Sequence, residues 1–160
     1  MTKPAKTIEK LRTDKPATIV AIGDSLTYGW MVRKGYLDFL KEMLTEQYPK
    51  NGFRLINKGI PGDTAEGGLH RVDPDVFFYN PDCVLVQFAL NDAFVGYTPE
   101  DYRLNVETII SEIQGNTEAE IVLVTSSYIG ENEWNRVIEN SFYGSLENLA
   151  RAYHLSVARV

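Results

Sequence analysis

Cysteine is nearly absent. The 160 residues contain one, Cys83, so no intramolecular disulfide can form, which fits a reducing compartment. Inside the run CVLVQFAL it reads as a small buried core residue. Histidine is almost as scarce: His70 and His154 lie far apart and, with one thiol, make no set of metal ligands, so no metal is expected. Basic residues are the minority, 16 Lys and Arg against 22 Asp and Glu, for a formal net charge of -6. Clustered cations are what a nucleic-acid surface needs, so no such partner is expected. The one basic cluster is Lys3, Lys6, Lys10, Arg12 and Lys15. No apolar run long enough for a signal peptide or a membrane span follows it, and the chain reads as cytoplasmic. G-x-G-x-x-G is missing too, and the glycines at 62 and 67 are followed by Gly68-Leu69 where a P-loop needs Lys and Ser or Thr. A phosphate cradle is excluded on spacing, and no cofactor is expected.

What remains is the composition of one globular domain, 44% hydrophobic and 24% charged. Four apolar runs of strand length recur, at 17–22, 53–57, 83–90 and 120–126, and SVARV closes the chain. Helical periodicity fills the intervals: Tyr36, Leu40, Met43, Leu44 and Tyr48 share one face, as do Tyr102, Val106, Ile109, Ile110 and Ile113, and again Ile138, Phe142, Leu149 and Tyr153. Thr98, Pro99, Glu100 and Asp101 mark the start of the middle helix. Strands apolar on both faces, alternating with helices, predict a parallel sheet covered on both sides, an α/β/α three-layer sandwich. Residues 1–16 read as a basic N-terminal extension and 17–160 as the domain.

In such sheets the ligand site lies beyond the carboxyl ends of the strands. There the sequence places Gly23-Asp24-Ser25-Leu26, then Asn57-Lys58-Gly59-Ile60-Pro61-Gly62-Asp63, then Asn91-Asp92. Acyl transfer needs a hydroxyl nucleophile and hydrogen-bond donors about 3 Å from the developing oxyanion. Ser25 suits the first role. The backbone N–H groups of Ser25 and Gly62 and the side-chain amide of Asn91 suit the second. Asp24, Asp63 and Asp92 read as braces for their loops. Rival readings stand beside these: Ser25 as a helix N-cap, and Asn91 bonding only its own loop. G-x-S-x-G is excluded because Thr27 stands where the second glycine would be.

AIGDSLTYG, NKGIPGDTAEGGLHR and ALNDAF resemble the serine, glycine and asparagine blocks of the SGNH or GDSL hydrolases. The resemblance covers the whole chain. It implies a flavodoxin-like sheet of strand order 2-1-3-4-5 and ester hydrolysis through an acyl-enzyme, on small acyl esters or lysophospholipid-like substrates. It also marks two departures. Ala89 stands where the family usually has glycine, and the family's late Asp-x-x-His block, source of the catalytic Asp and His, does not occur. The domain therefore reads as C-terminally truncated, lacking the final helix, and inactive as it stands. His154 reads as a helix-end residue opposite the active rim, and His70 as a surface residue, with the role of substitute base as its minor alternative. With that order, the helix after strand one covers one face and the later helices the other. The face over strands three to five is then expected to lie open, and self-association through it is expected. Trp30 and Met31 stay open between acyl-pocket lining and core. The alternatives to an esterase are a flavodoxin-like module for a flavin or small anion, and a non-catalytic interaction fragment.

Overall fold

The computed structural model describes residues 3–125 and 133–160. They form a parallel sheet of five strands: β1 (Thr18–Gly23), β2 (Arg54–Gly59), β3 (Cys83–Gln87), β4 (Glu120–Thr125) and β5 (Ser156–Arg159). The order is β2-β1-β3-β4-β5. Every residue of β3 is buried, as are the last five of β1 and of β4, which is why these strands read as continuous apolar runs. β2 lies at an edge and carries Arg54, Asn57 and Lys58, polar groups that discourage pairing with a further strand. Register brings Gly23 level with Gly59 on one side and Gln87 on the other, so the three block-bearing strands end on one rim. Ser126, the last residue expected in the fourth strand, lies outside the described residues.

Nine α-helical segments are described: α1 (Ala5–Arg12), α2 (Ser25–Tyr28), α3 (Tyr36–Gln47), α4 (Ala65–His70), α5 (Val72–Asp75), α6 (Leu90–Val95), α7 (Pro99–Asn116), α8 (Glu133–Val137) and α9 (Gly144–Ala152). A π-helical turn, Ile138–Tyr143, joins α8 to α9. α7 starts as its sequence predicts. Thr98 accepts from the Asp101 amide at 3.1 Å, Asp101 returns a bond to the Thr98 amide at 3.0 Å, and Pro99 takes the first position. Its stripe Tyr102, Val106, Ile109, Ile110 and Ile113 packs in one buried cluster with Val20, Val84, Leu123, Ile138 and Phe142. The opposite face holds Ile19, Ala21, Cys83, Leu85, Val122 and Val124, with Leu37 of α3.

That second face corrects one expectation. Leu85, Val122 and Val124 are only 7%, 7% and 1% exposed, in one cluster with Leu37 and with Tyr36, Leu40 and Leu44 packed against it. The apolar side chains over β3 and β4 are covered within a single chain, so the face is not open there.

Residues 5–12 pack on the sheet rather than trailing from it. The carboxylate of Glu120, at the start of β4, accepts from the amides of Lys6 and Thr7 at 3.0 and 2.8 Å and from the Thr7 hydroxyl at 2.8 Å. It caps the positive end of α1. Lys10 pairs with Asp82 at 2.5 Å, and the Asn51 amide closes the other end on the carbonyls of Leu11 and Lys15, at 3.2 and 2.9 Å. Leu11 is the apolar anchor. Glu120→Ala is expected to cost about 1–3 kcal/mol, since it orphans two helix N–H groups at once. Hydrogen exchange checks it: protection of the Lys6–Arg12 amides should fall while that of α7 stays.

Candidate functional site

Ser25 is the first residue of α2, and the N-cap is Asp24, whose Oδ1 accepts from the Leu26 amide at 2.8 Å. The capping role is therefore filled by its neighbour. Three further features seat this short helix. A Cβ on Gly23 would run into Thr27 and the Gln87 carbonyl, and one on Gly59 into the backbone of Thr27 and Tyr28, so both strand ends require glycine. The Asn57 amide donates to the Thr27 carbonyl at 2.9 Å, and Gly29 turns the chain away with φ 85°.

Beneath Ser25 runs a buried polar chain. Gln87 Nε2 donates to Asp24 Oδ2 at 3.2 Å, and Gln87 Oε1 accepts from the Thr27 hydroxyl at 2.9 Å. With its one proton spent there, Thr27 Oγ1 accepts from the Tyr36 hydroxyl, 3.1 Å away. Residues on both sides of Ser25 are thus fixed by one side chain at the end of β3. Burial pushes the Asp24 carboxyl up to about 6, against two hydrogen bonds that favour its charged form. Burial raises the Tyr36 phenol as well.

The glycine block is a tight turn. Asp63 N donates to Ile60 O at 3.1 Å, with Pro61 second and Gly62 third at φ 84°, as a type II turn demands. The Ile60 amide bonds the Gly23 carbonyl at 3.0 Å, joining this turn to the serine block. Asp63 accepts from the Thr64 amide at 3.0 Å and from Arg71 Nε at 2.8 Å. Arg71, which the sequence does not single out, also donates to the carbonyls of Lys58 and Gly23 and pairs with Asp75, at 2.8, 3.1 and 2.8 Å. One guanidinium therefore braces both blocks.

β3 ends at Gln87, three residues before the apolar run does, because Ala89 takes φ 141°. That conformation suits glycine, so the alanine here shows as backbone strain in a fully buried residue rather than as simple crowding. Asn91 follows as the second residue of α6, and its Nδ2 donates to the Asp63 carbonyl at 2.8 Å. Asp92 Oδ1 accepts from the Ala65 amide at 2.9 Å, while its buried Oδ2 has no hydrogen-bond partner among the described residues. Burial again is the main reason that the Asp92 carboxyl rises to about 6.

The three blocks thus meet at one rim, in chain order. A model of the GDSL-like Lipase/Acylhydrolase family matches residues 21–159. The chain belongs to this family. Acetylxylan esterase of Geobacillus stearothermophilus is 27% identical over 136 residues, covering 72% of this chain and 62% of that protein. An arylesterase of Vibrio mimicus is 30% identical over 108 residues, 66% of this chain and 52% of its own. The crystal structure of AlinE4, an SGNH-hydrolase family esterase, aligns with a TM-score of 0.72 at 27% identity, over 90% of this chain and 76% of that one. The chain spans about half to three fifths of the length of these two curated relatives.

Within this GDSL-family fold the two histidines sit on different elements. His154 lies two residues before β5, at the amino end of the strands, and His70 is exposed as the last residue of α4. A cavity of about 590 Å³ runs along α9 and β5, lined by Glu147, Arg151, His154 and Arg159 among others, none of them from the three blocks. Among the described residues no helix is long and apolar enough to cross a membrane.

The glycines at 62, 67 and 68 differ in what a larger residue would meet. Nothing lies within 4 Å of a Cβ at Gly62, so only its φ resists substitution. A Cβ on Gly68 would strike the buried Phe88 ring, and one on Gly67 the Asp63 carboxylate held by Arg71. Gly68→Ala is expected to cost about 2–3 kcal/mol by overpacking and Gly62→Ala about 1 kcal/mol by strain, read from urea midpoints.

Proposed function

We propose that the chain supplies the nucleophile and oxyanion donors of a serine ester hydrolase acting through an acyl-enzyme. The observation that best supports this is the 2.8 Å bond from Asn91 Nδ2 to the Asp63 carbonyl. It fixes the amide plane beside the Gly62 turn and leaves the second Nδ2 hydrogen for a ligand at the rim. Ser25 Oγ attacks the ester carbonyl, and the charge that develops on the carbonyl oxygen is received by the N–H groups of Ser25 and Gly62 and by Asn91. Collapse releases the alcohol, which takes up a proton, and water then attacks the acyl-serine. Neither His70 nor His154 is assigned as the general base that takes the Ser25 proton. Carboxylic esters with small acyl groups fit the names of the relatives. A fluorophosphonate probe tests the reading. Labelling should be slow, accelerate with added imidazole, persist in His70→Ala and vanish in Ser25→Ala. Labelling that survives Ser25→Ala sinks it.

A further inference from the structure

Gln87 is fully buried, yet it carries an amide where a side chain placed for packing alone would be apolar. Both ends of that amide are bonded, one on each side of the nucleophile. Nε2 donates to Asp24, the residue before Ser25, and Oε1 accepts from Thr27, two residues after it. Register explains the reach. Gln87 stands level with Gly23 across the ladder of β1 and β3, and the Thr27 hydroxyl fills the place that a Gly23 Cβ would take. A side chain at position 23 would part Thr27 from Gln87.

The strand end that carries Gln87 is fixed in turn. The Phe88 carbonyl accepts from the Tyr102 hydroxyl of α7 at 3.2 Å, and the Phe88 ring lies against Gly68 of α4. Asn91 follows on the same segment, one short stretch beyond Gln87. α2 is a single turn, Ser25–Tyr28, too short to hold its own position, so the bonds around it are what set Ser25 against Asn91. Asn57, Ile60 and Arg71 tie the serine block to β2 and to the glycine block. Among the described side chains, Gln87 is the one that hydrogen-bonds it to β3. Reacting groups tolerate little displacement, and about 1 Å can cost 10²-fold in rate.

We propose that Gln87 is a positioning residue for Ser25, holding the serine block in register with the segment that carries Asn91, through Asp24 on one side and Thr27 on the other. The proposal rests on the reading of Ser25 as nucleophile, and fluorophosphonate labelling with imidazole added tests the two separately. Gln87→Met keeps the length of the side chain and removes both bonds. Its limiting labelling rate should fall at least about tenfold, while the probe concentration that gives half that rate changes by less than about threefold, because alignment is lost rather than binding. Gln87→Glu keeps the bond from Thr27 and sets a second carboxyl against Asp24 Oδ2. Near about pH 6 the two carboxyls share one proton and keep the contact; near about pH 9 both are ionised and repel. The ratio of variant to parent labelling should therefore lie within about threefold of one near pH 6 and fall at least about tenfold by pH 9, reversibly and with circular dichroism unchanged. Asp63, Asp92, Tyr36, Tyr102 and Arg71 are the other titratable groups that bear on Asp24 or its turn, and they are the same in variant and parent. A merely structural glutamine would leave the ratio flat. Tyr36→Phe removes only the outermost bond, to Thr27, and should slow labelling by about threefold or less. If Gln87→Met fails to fold, the Gln87→Glu profile decides alone. A parent that labels at Ser25 beside a Gln87→Glu variant with a flat ratio overturns the proposal and leaves the esterase reading standing. A parent that is not labelled at Ser25 overturns both.

Discussion

Asn91→Ala is expected to lower kcat for ester turnover by about 10²–10³ relative to the parent protein, measured with imidazole added as proton acceptor. The amide has two hydrogens, and the Asp63 carbonyl takes one of them at 2.8 Å. That bond sets the direction of the other, a side-chain donor for an oxyanion between Ser25 and Gly62. Loss of one hydrogen bond in the folded state costs only about 1 kcal/mol, so the variant should fold, and its unfolding midpoint should move little. The split between kcat and KM decides between roles. A donor that acts on the transition state changes kcat, whereas a residue that merely positions substrate raises KM. Asn91→Asp should be no better than alanine, because a carboxylate would face the Asp63 carbonyl and repel the developing charge.

The residues of this site were unequally legible in the sequence. Ser25, Gly62 and Asn91 stand at strand ends in an apolar pattern, and Pro61-Gly62 is a turn signal that needs no tertiary information. The Thr98 cap was legible for a similar reason, since capping is local, whereas the strand order, which is not local, came from the family resemblance. Arg71, Gln87 and Tyr36 were not. Arg71 meets Gly23 across 48 residues and Gln87 meets Asp24 across 63, so their roles exist only once the strands are in register. The one visible trace of Gln87 was a polar residue inside an apolar run. The first helix was hidden for a different reason. Its docking is polar, through Glu120, Asp82 and Asn51, and polar docking leaves no hydrophobic stripe to read. The face over β3 and β4 was misjudged because counting helices does not reveal how much of a sheet the neighbouring chain covers.

Stability should fall as pH rises from 4 to 7 through Asp24 and Asp92, opposite to the usual behaviour of carboxylates. Burial raises both groups from 3.8 to about 6, with the charge on Asp63 adding to it. Well below pH 3.8 both are protonated whether the chain is folded or not, and the protonated form is the one that the interior accommodates. As pH rises from there through about 6, the unfolded chain releases these protons while the folded chain holds them, and the folded state loses its advantage. Over that full range each group accounts for about 3 kcal/mol. Other acids act in the opposite sense: Asp75 is held below its ordinary value by Arg71 and Lys58 against the effect of burial, so the total curve mixes both. A difference measurement isolates the effect. Asp92→Asn keeps an acceptor for the Ala65 amide and removes the titration, and any cost of its unpaired amide group is the same at every pH. Relative to the parent, the variant should gain most of those roughly 3 kcal/mol between pH 4 and pH 7.5 in urea unfolding. A difference that stays flat across that range would mean that Asp92 is not held protonated by burial, and that its unpartnered Oδ2 finds a donor in solution.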